Sequence, residues 1–317
     1  MTTDPVEKVT IKAILLGIVV TAVTLGVLAV VLVPTQDQGR RGAASPPSPS
    51  YSHDLARRIT DFTRGTVAHS DYQPPLRAQR RAVAEGVGLL LDGRRAEAAR
   101  RLAEVEFGIR EFADTGTGRR FAEIADRAAE AKRGWGRVYV DLGAPTRWSV
   151  QVPHPVADTG SEQLGLGVLR ARPGGLLVLA GAHRNAGKGD RADVAHRSDS
   201  VFDAVCDELA ERRLPGLQVH GFADATEPDY EVIASTGKGD QGLTAARRTA
   251  TALRRDGFDV CRAWVRRCAL EGRSNEQGRR AAASGVPFLH MEFSRSVRDD
   301  EGRMRRAVAA MAAGLPR

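Results

Sequence analysis

Residues 13–33, AILLGIVVTAVTLGVLAVVLV, run for 21 positions without a charge. As a helix this run would be about 31 Å long, which matches the hydrocarbon core of a bilayer. Its only interruptions are two Thr and two Gly, so it has no polar face to turn outward from a soluble core. A cleaved signal peptide would carry a shorter apolar stretch, about 7–15 residues, followed by a small-x-small site. Here the run exits into Val33-Pro34-Thr35-Gln36 instead. The expectation is an uncleaved single-pass transmembrane helix, a signal anchor, preceded by a tail of residues 1–12. Lys8 and Lys12 precede the run and Arg40 and Arg41 follow it, so the neighbouring cations do not choose its orientation. Cys261 and Cys268 lie close together and Cys206 is left over. A disulfide between the close pair would suit an exported domain; three reduced core thiols are the other reading. The orientation adopted is a cell-membrane protein whose C-terminal bulk is extracytoplasmic.

After the membrane run, residues 34–50 form a linker. Its Pro/Ser/Gly-rich stretch, QDQGRRGAASPPSPS, cannot bury enough surface to fold and acts as a spacer. Residues 51–134 read as a helical segment. Ala98, Leu102, Val105 and Ile109 repeat at helical spacing, and Gly93, Gly116 and Gly118 mark breaks. From Trp135 the pattern changes. β-rich runs at 138–140, 148–152, 176–179, 217–220 and 287–293 alternate with helix candidates near 162–171, 199–212, 243–255 and 299–313. Such alternation predicts an α/β domain over 135–317, a mixed, largely parallel sheet flanked by helices of phosphorylase/hydrolase-like type.

Charge excludes one class of function. The chain is basic, with a net charge of +8, and 42 of its 47 cationic residues are Arg. These are interleaved with acids, and no cationic block carries aromatics between its charges, so nucleic-acid binding is not expected.

Five of the seven histidines fall after residue 135, at or just beyond strand ends. In open α/β sheets ligands gather there. The strand ending at His154 is followed by a loop and a helix that Ser161 is placed to cap, with Glu162 in its first turn. A second strand ends at His220, before Gly221. Two His and one carboxylate leave a position open for water, as a catalytic zinc requires; such a zinc acidifies that water and polarises a carbonyl. In the strand 288–294, period-two alternation puts Phe288, His290 and Glu292 on one face. A Glu in an apolar strand is costly without a partner or a task, and proton transfer for the zinc-activated water is such a task. Arg184 and Arg197 could supply an oxyanion donor and a carboxylate clamp. Asn275, with Arg273 and Gln277, lies in a polar loop before the last strand. Plainer readings stand beside these. A strand-end His also serves as a hydrogen-bonding core residue. Glu292 could pair with Arg295 or Arg298, and Arg184 and Arg197 could be structural ion-pair partners. His183, Asp193 and His196 form a second possible metal set within one loop.

The order His…Glu, Arg…Asp-x-x-His-Arg, His-Gly, then a strand Glu followed by Arg resembles the zinc-dependent carboxypeptidase-like amidohydrolases. Within that group it is most similar to N-formylglutamate amidohydrolases and poly-γ-glutamate hydrolases, over about residues 148–300. The resemblance implies His154, Glu162 and His220 as zinc ligands and Glu292 as the catalytic glutamate. It implies Arg184 as the residue that steadies the oxyanion and Arg197 as the grip on a substrate carboxylate. The family's tighter form spaces His and Glu by two residues. Here seven intervene, which leaves Asp158 as an alternative ligand, and His196 replaces the family's usual Asn. The expected function is a membrane-anchored, zinc-dependent hydrolase of an amide bond in a small-molecule or peptide-like carboxylate substrate. The alternative is a non-catalytic envelope protein that binds a ligand or partner on a degenerate hydrolase fold.

Overall fold

Strand β5 (Trp148–Val152) lies inside a ten-stranded sheet, and its neighbours explain where the polar residues go. The computed structural model describes residues 51–66, 72–127 and 133–316. The expected tail, membrane run and linker, residues 1–50, lie outside these. No helix among the described residues is long and apolar enough to cross a membrane.

In chain order the elements begin with β1 (Ser52–His53), α1 (Leu55–Arg64), α2 (Arg77–Leu91), α3 (Arg95–Ala103), β2 (Phe107–Asp114), β3 (Arg120–Asp126) and β4 (Arg137–Asp141). After β5 come α4 (Ser161–Ala171), β6 (Gly175–Leu179), α5 (Val201–Glu211), β7 (Gly216–Phe222), β8 (Val232–Ser235) and α6 (Leu243–Arg255). The chain ends with β9 (Val260–Arg262), α7 (Glu276–Ala283), β10 (Phe288–Ser294), α8 (Arg295–Asp299) and α9 (Glu301–Gly314). The sheet order is β1-β2-β3-β4-β6-β5-β7-β10-β8-β9. The central four strands, β6, β5, β7 and β10, are mutually parallel. β4 and β8 flank them antiparallel. The architecture is therefore α/β, a mixed, largely parallel sheet with helices on both faces.

The segment expected to be helical through residue 134 is not. Helices α1, α2 and α3 come first, but 107–126 is the antiparallel hairpin β2–β3, paired to the rest of the sheet through β4. Helical spacing runs on through Val105 to Ile109, but Glu106 adopts φ 61° and ends the helical path. Phe107, Phe112, Phe121 and Ile124 then bury their side chains as strand residues, and Gly116 and Gly118 form the hairpin turn, with Gly118 at φ 70°. Residue 134 is thus no boundary within the sheet. Two strands, β8 and β9, and the helix α7 were not anticipated.

Helices α1, α4, α6 and α9 cover one face of the sheet, and α2, α3, α5 and α7 the other. Burial follows the two-residue period of a strand. Val150, Val152, Leu217, Val219, Leu289, Met291 and Phe293 point into the core under α4, α6 and α9. Each such side chain contributes about 1.5–3 kcal/mol when fully buried. The alternate positions on the same three strands include Ser149, Gln151, Gln218, His220, His290 and Glu292, polar residues that are all buried. They form a polar stripe on the α5/α7 side. The stripe meets a topological switch: β5 leads through α4 to β6 on one side, while β7 leads to strands on the other. Ligand crevices of open α/β sheets lie at such points.

Candidate metal centre

At the carboxyl end of β5, His154 is buried and Asp158 follows in a turn closed by the bond from the Asp158 amide to the His154 carbonyl, 2.8 Å. Parallel pairing of β7 with β10 puts His220 beside Glu292 and Gln218 beside His290. His154 and His220 meet edge to face with ring centroids 5.0 Å apart, and His290 continues the row at 4.9 Å.

Both Nδ1 atoms of the first pair face one carboxylate oxygen. His154 Nδ1 lies 3.5 Å from Asp158 Oδ2, and His220 Nδ1 lies 3.2 Å from it. Both Nε2 atoms face oxygen acceptors, Asp193 Oδ1 at 2.8 Å and Gln218 Oε1 at 3.1 Å. Asn275 Nδ2 also lies 3.3 Å from His220 Nε2, so each ring is held between polar groups at both of its nitrogens. Ligating atoms of His154, Asp158 and His220 all lie within 4.8 Å of one another, and among the described residues no other group of three does so. His154 Nδ1 is buried without a hydrogen-bond partner. An orphaned buried nitrogen, two imidazoles and one carboxylate together fit a metal ion of the zinc type, and Asp193 behind His154 is the outer carboxylate that such ligands commonly have.

Electrostatics bind the cluster together. Burial pushes the Asp158 carboxyl up, but its bonds to His154 and His220 outweigh this and hold it well below the usual range. Burial likewise acts against Asp193, and its contacts with His154, His196 and Arg184 prevail, so it too is held far down. Burial alone would depress His154, yet the two carboxylates raise it above its ordinary value. His220 is depressed by burial, which keeps its ring neutral and able to ligate.

Glu162 does not join the cluster. Its Oε2 accepts the Gly160 amide at 2.8 Å, and burial raises its pKa. The reason is local: Gly160, at φ 93°, is the N-cap of α4 in place of the expected Ser161, so Glu162 turns back on the helix start and Asp158 occupies the space between the imidazoles. The second possible set, His183, Asp193 and His196, does not converge. Asp193 is engaged by His154, by His196 Nδ1 at 3.1 Å and by Arg184 Nη2, which donates at 2.7 Å.

The centre opens into a cavity of about 800 Å³. Glu292, Arg184 and Asn275 line it, as do Arg267 and Arg273. Glu292 Oε1 lies 3.3 Å from His290 Nε2, and it has no Arg partner among the described residues. Arg295 instead pairs with Asp299 at 2.7 Å. Buried Arg298 donates to the carbonyls of Phe293 (3.0 Å), Phe222 (2.9 Å) and Thr159. It thereby ties the ends of β10 and β7 to the turn that carries Asp158. Arg197, expected to grip a substrate carboxylate, does not line the cavity. Its guanidinium closes bidentately on Asp199, at 3.0 and 2.8 Å, a geometry that a neighbouring carboxylate satisfies fully.

The cavity wall also contains the loop between β9 and α7. The structure joins Cys261 to Cys268 as a disulfide, and Arg267 sits beside it. Neither Arg267 nor Gln218 was singled out from the sequence. The only signal for Gln218 was its place two residues before His220, on the same strand face.

No protein-family model matches the chain, and no curated protein matches it. Among solved structures it is similar to the N-formylglutamate amidohydrolase of Ralstonia eutropha JMP134, at 14% identity and TM-score 0.40, over 55% of this chain and 95% of that one. It is also similar to the cytosol aminopeptidase of Coxiella burnetii, at 12% identity and TM-score 0.38, over 81% and 70% of the two chains. A third likeness is to the LapA aminopeptidase of Legionella pneumophila, at 10% identity and TM-score 0.34, over 87% and 79%. At such scores the reading of the centre rests on its own residues.

Proposed function

We propose that this chain is a zinc-dependent hydrolase of an amide bond in a carboxylate-bearing, small-molecule or peptide-like substrate, held at a membrane by residues 13–33. The observation that carries the reading is the convergence of His154, Asp158 and His220 on one point at the switch between β5 and β7, beside Glu292 in an open cavity.

In this reading His154, His220 and Asp158 would hold the metal, which when bound would polarise the substrate carbonyl and acidify water. Glu292 takes a proton from the attacking water on its carboxylate and returns it to the leaving nitrogen. Arg184, held in place by Asp193, donates to the oxygen that becomes negative as the carbonyl is attacked. Asn275, anchored through its Nδ2 to Gln218 Oε1 at 2.6 Å, orients the substrate with its remaining acceptor. Arg267 and Arg273, which line the cavity in place of Arg197, attract the substrate carboxylate.

The test is metal analysis of the purified chain together with an amide-substrate screen, on wild type and Glu292→Gln. Wild type should retain about one zinc per chain and lose activity on chelation. Glu292→Gln should keep the metal and the fold while kcat falls by about 10²-fold or more, as expected for loss of a general base. Normal turnover by that variant would overturn the role of Glu292. A chain that never retains metal would point to a binding protein instead.

A further inference from the structure

Next to the cavity of the metal centre lies a second one, of about 380 Å³. Two loops wall it: residues 235–240, which follow β8, and the segment between β9 and α7. Glu271 and Arg273 line both cavities, so the two adjoin across this short stretch of chain. The walls are held in shape. Ser235 Oγ donates to the Glu271 carbonyl at 2.7 Å and accepts from the Gly237 amide at 2.9 Å, which joins the two loops. Thr236 Oγ1 donates to the Gly239 carbonyl at 2.5 Å. Gly237 adopts φ 63°, and a Cβ there would come within 3.3 Å of the Phe288 ring, so the turn is a glycine turn pressed against the start of β10. It leaves Lys238 and Asp240 exposed on the cavity wall. Among the described residues neither side chain has an ion-pair or hydrogen-bond partner. Arg273 stands 3.5 Å from Glu271 Oε2. The lining thus offers two cations and two carboxylates, with no net charge. A lone anion would meet Asp240 and Glu271, and a lone cation would meet Lys238 and Arg273; such like-charge contacts select against a partner. An apolar group would strip water from all four charges without replacing it. A group that carries both signs satisfies them, and half-buried Trp264 adds a flat apolar wall beside it. The first cavity, at about 800 Å³, already has room for a compact ligand. The second adds space that only a longer substrate uses.

We propose that the second cavity is a distal subsite for a portion of the substrate that carries both an ammonium and a carboxylate, an amino-acid-like group, so that the substrate extends beyond the amide held at the metal centre. That the bound molecule is an amide substrate rests on the reading of the centre given above; the binding of such a group does not. Lys238 pairs with the carboxylate and Asp240 with the ammonium. Arg273, on the shared wall, lies where the two parts of the substrate join. Because both signs are paired at once, a zwitterionic group is held better than either charge alone.

Trp264 reports on this subsite. Of the three tryptophans, Trp135 and Trp148 are buried, 6% and 0% exposed, which leaves Trp264 as the indole open to a ligand. Its ¹H–¹⁵N indole resonance, assigned by its loss in Trp264→Phe, is followed in the full chain after metal is removed by chelation and dialysis. Glycine, the smallest group of this kind, is the probe, and acetate and methylammonium are the single-charge controls. Glycine should shift the resonance saturably, and each control should bind about two- to fivefold more weakly, the worth of one exposed charge pair. Lys238→Ala and Asp240→Ala should each weaken glycine by a similar factor. A resonance that glycine does not shift saturably overturns the proposal, as does acetate or methylammonium binding as tightly as glycine. These comparisons use wild type alone, so they decide even if a variant fails to fold. Folded Lys238→Ala and Asp240→Ala chains that bind glycine like wild type overturn it as well. A wild-type chain that takes glycine selectively but retains no zinc when supplied with it keeps the subsite and sinks the metal reading, so the two failures are distinct.

Discussion

Asp158 is shared between two imidazoles, and Glu162, four residues later, is spent on its own helix start. Their alanine variants should therefore separate. Asp158→Ala should weaken zinc retention by about 10²-fold or more, because it removes one of three protein ligands. Glu162→Ala should retain zinc like wild type and cost only the stability of the α4 start, about 0.5–2 kcal/mol as for a lost cap. Chelator competition checks both, and the reverse pattern would return the ligand role to Glu162. Asp203 supports a second prediction at this scale. Burial, reinforced by nearby Asp207, pushes its carboxyl up to about 7. A carboxyl that holds its proton more tightly when folded than unfolded binds more protons in the native state between pH 3.8 and about 7. Its contribution to stability is intact below that window and is lost as pH rises through it, at up to about 1.4 kcal/mol per pH unit. Asp203→Asn removes this slope while keeping an oxygen for Gln277. Urea midpoints of the variant should fall less than those of wild type between pH 4 and 7, and should exceed wild type at pH 8. Parallel curves would show that Asp203 does not titrate in this window.

Among the elements, the loop from β9 to α7 has the most to hold in place. It carries Arg267 and Arg273 along the cavity, and Leu270 within it adopts φ 53°, an unfavourable conformation for a residue with a Cβ. That conformation turns the Leu270 carbonyl toward His290 Nε2, 3.0 Å away. The loop is secured by the Cys261–Cys268 bridge, by the Cys268 amide donating to Glu271 Oε1 at 2.8 Å, and by Ser235 Oγ donating to the Glu271 carbonyl at 2.7 Å. Replacing both cysteines by Ala should lower stability by about 2–3 kcal/mol, the loop-closure entropy of so short a ring. It should also raise KM more than it lowers kcat, because Arg267 and Arg273 contribute mainly uniform binding. Denaturant titration and steady-state kinetics check the two effects. An unchanged KM would show that the loop's hydrogen bonds suffice to hold these cations.

For the whole molecule, the proposed membrane run and linker determine which compartment the cavity faces. A disulfide beside that cavity suits an oxidising side of the membrane. A single Cys placed in residues 36–50 should react, in intact cells, with a thiol reagent that cannot cross the membrane. Labelling that appears only after lysis would put the folded domain on the cytoplasmic side.

What the sequence determined alone was short-range. The alternation of strands and helices after residue 135 is written in residues two to four positions apart, and so is the face shared by His290 and Glu292. The strand-end histidines were legible for the same reason. Local spacing also misled: Ala98 to Ile109 keeps helical period until the backbone at Glu106 turns away, because side-chain periodicity records a preference and packing against the sheet decides the outcome. Asp158 over Glu162 and Asp193 behind His154 were decided only by tertiary structure, whereas Arg197 is lost to Asp199, only two residues away. Tertiary structure also decided the run of contacts from Asp203 through Gln277 and Gln218 to His220, whose members come from α5, α7 and β7. The His154–Asp193 and Asp203–Gln277 contacts join residues 39 and 74 positions apart in the chain. The strand order β6-β5-β7-β10, a property of the whole sheet, brings them within a hydrogen bond of one another.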